Sequence, residues 1–91
     1  MENSNLRCVS FHLKTAPNSE VYLSGSFNHW NGAAEKMTDS TDRGEYYIAH
    51  MLPPGTYEYK FVVNGEYRSD PECPDSVVNE FGTLNSVIHV E

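Results

Sequence analysis

The chain reads as an all-β sandwich on three observations. Apolar and polar residues alternate at a period of two nearly throughout, and no stretch of ten residues carries a 3.6-residue period. Turn chemistry recurs at close spacing, most clearly at Asn64-Gly65, the strongest short hairpin signal. A length of 91 residues allows one domain with its own core, and 38% hydrophobic content with 12% aromatics suits a packed interior rather than a disordered segment.

The polar start, Met1 to Asn5, is expected to be a flexible N-terminus ahead of a single domain over 6–91. Leu6 to Leu13 is the first strand, with Val9, Phe11 and Leu13 facing inward and Cys8, Ser10 and His12 outward. Thr15-Ala16-Pro17-Asn18-Ser19 breaks it with turn residues. Glu20 to Phe27 follows, Val21 and Leu23 inward, Tyr22 and Ser24 outward. Lys36 to Thr38 reads as a short edge strand before the polar turn 39–44. Glu45 to Leu52 is a strand that Pro53-Pro54-Gly55 stops. Thr56 to Val63 has the clearest alternation: Tyr57, Tyr59, Phe61 and Val63 on one face, Thr56, Glu58, Lys60 and Val62 on the other. Asn64-Gly65 needs positive φ twice and returns the chain into Glu66-Tyr67-Arg68. A loop rich in Asp, Glu and Pro precedes the last strand, Leu84 to Val90.

Charge narrows the partner. Thirteen acidic and 6 basic residues give a net charge of −7, which disfavours nucleic acid and anionic membranes and does not repel a neutral ligand. No apolar run approaches the roughly 18 residues of a membrane span. The N-terminus lacks a basic region followed by an apolar stretch, so a cytoplasmic location is expected. Cys8 and Cys73 are then expected to be reduced thiols.

Little in the chain suggests reaction chemistry. His12, His29, His50 and His89 fall on different elements without ligand spacing, and exposed strand positions account for His12 and His50. Neither a nucleophile elbow nor a phosphate loop is present. The cluster Asp70-Pro71-Glu72-Cys73-Pro74-Asp75 lacks EF-hand spacing and reads as a rigid surface turn. The expectation is a binding module with no catalytic residue, metal or cofactor.

The aromatics give that module a ligand chemistry. Trp30, the single tryptophan, stands in a loop just after a strand; Lys60 lies on the polar face of the best strand, and Tyr67 follows the tight turn. Phe81, Thr83 and Asn85 bracket the start of the last strand. An aromatic plane suits the C–H face of a pyranose, while Lys, Asn and Thr hydrogen-bond hydroxyls. Each residue also has a structural reading: Trp30 as core at the sandwich edge, Tyr67 as a cross-strand partner, Lys60 as a solvated strand lysine, Asn85 as a turn cap.

The blocks VYLSGSFNHW, LPPGTYEYKFVVNGEYRSDP and NEFGTLNSVIHV resemble the family 48 carbohydrate-binding modules. That family includes the glycogen-binding domain of the AMP-activated protein kinase β subunit and modules of branching and debranching enzymes. The similarity runs from about Leu6 to the end, and Gly-Ser-Phe-Asn-x-Trp and Gly-Thr-x-Asn are shared with the kinase-type domain. The resemblance implies an immunoglobulin-like (early-set) β-sandwich, mostly antiparallel, that binds α-1,4-linked glucans such as glycogen, starch and maltooligosaccharides. Non-catalytic binding would target or regulate an attached or associated enzyme or kinase subunit. By the same resemblance Trp30 matches the first stacking tryptophan, and Lys60 and Asn85 match residues that bond sugar hydroxyls. Tyr67 falls on a second stacking tryptophan, Phe81 matches a bulky apolar residue set against the sugar, and Thr83 its neighbouring threonine. Two departures stand out: Tyr67 offers a smaller stacking face, and Ser86 occupies a position where a second asparagine is usual, removing a possible amide from the site. The alternative is a degenerate sandwich kept for protein interaction, with Trp30 as an interface anchor. An enzyme would need paired carboxylates around the sugar, for which Asp39, Asp42 and Asp70 are the candidates.

Overall fold

The structure is a computed structural model describing residues 5–91; of the expected flexible segment 1–5, all but the exposed Asn5 lies outside the described residues. Eight strands follow in order among them: β1 Arg7–Lys14, β2 Val21–Gly25, β3 Glu35–Lys36, β4 Glu45–Leu52, β5 Gly55–Val63, β6 Glu66–Arg68, β7 Ser76–Val78 and β8 Leu84–Val90. β1 and β4 form one sheet, paired in full register from Arg7 opposite Leu52 to Lys14 opposite Glu45. The other sheet runs β3-β2-β5-β8-β7, with β6 on β5. β2 takes one edge of β5; β8 and β6 divide the other edge, since Tyr59 pairs with both Gly25 and Ser86. All these ladders are antiparallel, giving an immunoglobulin-like β-sandwich. No helix among the described residues is long and apolar enough to cross a membrane.

The two-residue alternation predicts the core. Phe11, Leu13 and Tyr46 from the small sheet pack on Val21, Leu23, Tyr59, Phe61 and Val63 from the large one, with Met37 closing the edge. The Phe11 and Tyr59 rings meet edge to face, centroids 5.0 Å apart, across the two layers. Burial pushes the Tyr59 phenol far above its ordinary range, and the hydrogen bond it donates to Asp70 Oδ2 (2.6 Å) adds to the shift. Asn64 (φ 50°) and Gly65 (φ 87°) make the predicted tight turn, and Asn64 also accepts from the Glu20 N–H through Oδ1 at 2.9 Å.

Several expectations need correcting. β2 ends at Gly25, not Phe27, because Asn28 bonds Gly25 N and Leu23 O and winds Ser26–Asn28 into a 3-10 turn. The edge strand is Glu35–Lys36; Met37 turns inward, while Thr38 bridges to Tyr47. The loop after β6 contains the unpredicted β7. Ser24 does not face solvent: it is fully buried, and Val62 and Lys60 on the same outer face are nearly so. The segment after Trp30 folds back over that face, so that a Cβ on Gly32 would lie 3.4 Å from Val62 Cγ2. His50 is half-buried, its ring 5.0 Å from Phe27 and its Nδ1 hydrogen-bonded to Glu35. Cys73 of the acidic turn packs against the core.

Turn 39–44 supports a pH prediction. Burial pushes the Asp39 carboxyl up, but the hydrogen bonds it accepts from Thr41, Gly44 and Glu45 outweigh this and bring it down to about 2. A folded-state value below the ordinary 3.8 stabilises the fold above about pH 4, and the gain disappears as pH falls toward 2. Thermal melts should therefore show wild type exceeding Asp39→Asn at neutral pH, with the gap closing between pH 4 and 2. A constant gap would remove Asp39 from the acid response.

Candidate functional site

The chain around Trp30 is held in an uncommon conformation. Asn28 Nδ2 donates to Leu23 O (3.1 Å) and Glu35 Oε2 (3.0 Å), tying the 3-10 turn to β2 and β3. His29 and Trp30 then both adopt left-handed backbone, φ 57° and 58°, and Trp30 N donates to Gly25 O at 2.9 Å. Left-handed backbone costs a non-glycine residue roughly 1–2 kcal/mol, so the Asn28 anchors and the Trp30 N–H offset a real penalty. Trp30 emerges 36% exposed, neither a core residue nor a free one.

Tyr67 stands beside it. β6 pairs Tyr67 with Val62, placing it on the outer face with Lys60, and it is 52% exposed. A Cβ on Gly32 would come within 2.6 Å of its hydroxyl, so the ring tip rests on the segment that follows Trp30.

The β7–β8 loop supplies a third wall. Asn79 Oδ1 accepts from Phe81 N (2.9 Å) and Thr83 N (3.1 Å), and Asn79 N donates to Thr83 O. This one side chain closes the loop and holds Phe81 out at its apex, 81% exposed. Asn79 Nδ2 donates to Thr83 Oγ1 (2.7 Å) and Asn85 Oδ1 (3.0 Å). Lys60 Nζ donates to the same Thr83 Oγ1 at 2.9 Å, and Asn85 Nδ2 to Glu58 Oε1 at 3.0 Å. Thr83 Oγ1 thus accepts twice, leaving its own hydrogen to donate. Lys60 is only 9% exposed, and its ammonium has three donors. Among the described residues no carboxylate lies within ion-pair distance of it, so a buried cation is left needing acceptors.

The structure brings all six predicted residues, Trp30, Lys60, Tyr67, Phe81, Thr83 and Asn85, to one groove of about 730 Å³. Glu58, Asn79 and Glu80 also line it, and sequence reasoning passed over them as site residues. Strand alternation signals Glu58, two residues before Lys60 on the same face. Asn79 has no such signal, since its part is to shape a loop. Ser86 corrects another expectation: it is 1% exposed on the opposite face of β8, where its hydroxyl accepts from Asp70 N at 2.8 Å. A residue at 86 therefore leaves the groove's hydrogen bonding alone. Asp39, Asp42 and Asp70 all lie outside the groove; its carboxylates are Glu58 and Glu80. Exposed aromatic faces flanking a fixed row of hydroxyl, amide and ammonium groups can bind a ligand with apolar faces and many hydroxyls.

Residues 9–91 match the family described as the glycogen recognition site of AMP-activated protein kinase. Among individual proteins, the chain is 38% identical over 77 residues to the 5'-AMP-activated protein kinase subunit beta-1 of Sus scrofa, covering 85% of this chain and 59% of that one. It is likewise 38% identical over 77 residues to the beta-1 subunit of Homo sapiens, of which it covers 27%. With the beta-2 subunit of Mus musculus the identity is 38% over 73 residues, covering 79% of this chain and 25% of that one. The chain thus spans less than two thirds of the length of these relatives.

Proposed function

Because the chain belongs to the family of glycogen recognition sites of AMP-activated protein kinase, we propose that its groove binds α-1,4-linked glucans and does not transform them. The convergence of Trp30, Tyr67 and the Lys60–Thr83–Asn85 row on one groove carries this reading. Trp30 and Tyr67 stack on adjacent glucose rings, and the curvature of an α-1,4 chain sets which rings meet them. Lys60 Nζ, the Thr83 hydroxyl and the free Asn85 N–H bond sugar hydroxyls, and Phe81 presses against the chain from the loop apex. Binding gives the buried ammonium the acceptors it lacks. Specificity rests mainly on chain shape, because hydroxyl contacts in an open groove compete with water. The kinase-subunit names of the relatives support a role in localising or regulating an associated kinase.

Trp30 fluorescence tests the reading directly. Maltoheptaose and β-cyclodextrin should give a saturable change, and cellohexaose, with β-linkages, should give none. A silent response to every sugar, with Trp30 shielded from quenchers, would return it to a packing or interface role.

Tyr67 sets how tightly the groove holds. With half of its surface already outward, Tyr67→Trp enlarges the stacking face without invading the core. Calorimetry should show maltoheptaose affinity rising by about 3- to 10-fold, the 0.5–1.5 kcal/mol scale of aromatic contacts. Unchanged affinity would mean that residue 67 does not touch the sugar.

A further inference from the structure

We infer that Glu58 makes the groove selective for unphosphorylated glucan segments. The inference rests on the glucan-binding reading and adds a discrimination to it. Glu58 precedes Lys60 by two residues on β5, so both side chains rise on the same face, about 7 Å apart along the strand. One carboxylate oxygen, Oε1, accepts from Asn85 Nδ2 at 3.0 Å. That bond fixes the Asn85 amide, whose oxygen accepts from Asn79 Nδ2. It also holds the Glu58 carboxylate half-buried in the groove wall.

Glu58 and Lys60 together form an acceptor beside a donor. A glucose hydroxyl can both donate to Glu58 and accept from Lys60, so vicinal hydroxyls satisfy both residues. A phosphate monoester can do only half of this. At neutral pH it carries about −1.5 to −2 charge and offers acceptor oxygens alone, so beside Glu58 it meets like charge and a second acceptor. Lys60 does not reverse the balance. It is the one cation among the described residues lining the groove, against the carboxylates of Glu58 and Glu80, and one of its hydrogens is already given to Thr83. Glu80 is exposed at the rim and screened by water, which leaves the half-buried Glu58 as the residue with the larger effect.

The test compares maltoheptaose with maltoheptaose carrying a 6-phosphate, by calorimetry on wild type, Glu58→Gln and Glu80→Gln. At low salt, wild type should bind the neutral chain about tenfold more tightly, and the ratio should shrink in about 0.5 M salt as the charges are screened. Glu58→Gln keeps an oxygen for the Asn85 amide but loses the charge and weakens the acceptor offered to a glucose hydroxyl. The neutral chain should therefore bind more weakly, while the preference, read as the ratio of the two chains on the same variant, falls to about threefold or less. Glu80→Gln should alter the ratio less. Equal affinities in wild type, a ratio that salt leaves unaltered, or a ratio that Glu58→Gln leaves unaltered would overturn the inference and leave the glucan reading intact. Failure of both chains to bind would overturn the glucan reading itself, and this inference with it. If Glu58→Gln folds poorly, Glu80→Gln decides: a salt-sensitive preference that survives it supports Glu58, and one that it abolishes overturns the inference.

Discussion

Trp30→Ala is expected to weaken maltoheptaose binding by about 30- to 150-fold, a loss of about 2–3 kcal/mol, while the protein melts within about 5 °C of wild type. The asymmetry follows from where the indole sits. It is outside the core cluster, more than a third exposed, and borders a groove whose other aromatic side chains, Tyr67 and Phe81, are smaller. The backbone that presents it is fixed by Asn28 and by the Trp30 N–H, and alanine keeps that N–H. Alanine also inherits the left-handed φ, so the strain is shared by both proteins and cancels in the comparison. Calorimetry and sedimentation with glycogen check the affinity, since the variant has lost its own fluorophore. Binding within threefold of wild type would remove Trp30 from the site. A fall in melting temperature of about 10 °C or more would make it a packing residue that merely borders the groove.

Much of this was legible in the sequence, and what was not has physical causes. The run Tyr57, Tyr59, Phe61 and Val63 marks a strand and its inward face because successive side chains alternate, and Asn64-Gly65 fixes the turn because few residues accept positive φ twice. The same alternation sets Glu58, Lys60 and Val62 on the opposite face. It cannot show that this face is covered, because the cover comes from the chain near Gly32 folding back across Val62. Nor does alternation show that Ser24 and Lys60 are buried, or that Ser24 Oγ has no hydrogen-bond partner among the described residues. The strand Ser76–Val78 is three exposed residues, too few to display a period. Asn79 gave no signal because its role lies in closing a loop on Phe81 and Thr83, and any polar loop residue looks the same in sequence. His50 read as an exposed strand residue because its partners, Phe27 and Glu35, come from elements remote in sequence.

Gly44→Ala should have the largest effect on stability, about 4 kcal/mol or more, a substantial share of what a domain of this size possesses. Gly44 has φ +85°, where an added Cβ costs about 1 kcal/mol from backbone sterics alone. That Cβ would also lie 1.8 Å from the carbonyl oxygen of Thr15, a backbone atom with little freedom to retreat. Thr15 N donates to Gly44 O at 2.9 Å, and Lys14 pairs with Glu45 directly beside it, so the clash falls at the closed end of the β1–β4 ladder. Gly44 N also donates to Asp39 Oδ2 at 2.6 Å, so moving residue 44 would disturb the turn that keeps the Asp39 carboxyl ionised. Gly65 is the matched control: its φ is +87°, yet a Cβ there meets nothing within 4 Å. Gly65→Ala should therefore cost only the backbone contribution, about 1 kcal/mol or a melting shift of about 4–8 °C, against at least 15 °C for Gly44→Ala. Differential scanning calorimetry of the two variants separates φ from crowding. Equal shifts would mean that Thr15 yields and that the left-handed backbone is the whole cost. A large gap would identify the contact between turn 39–44 and the end of β1 as the rigid corner of the small sheet. The groove is on the other sheet, so each variant should bind maltoheptaose normally at temperatures where it remains folded.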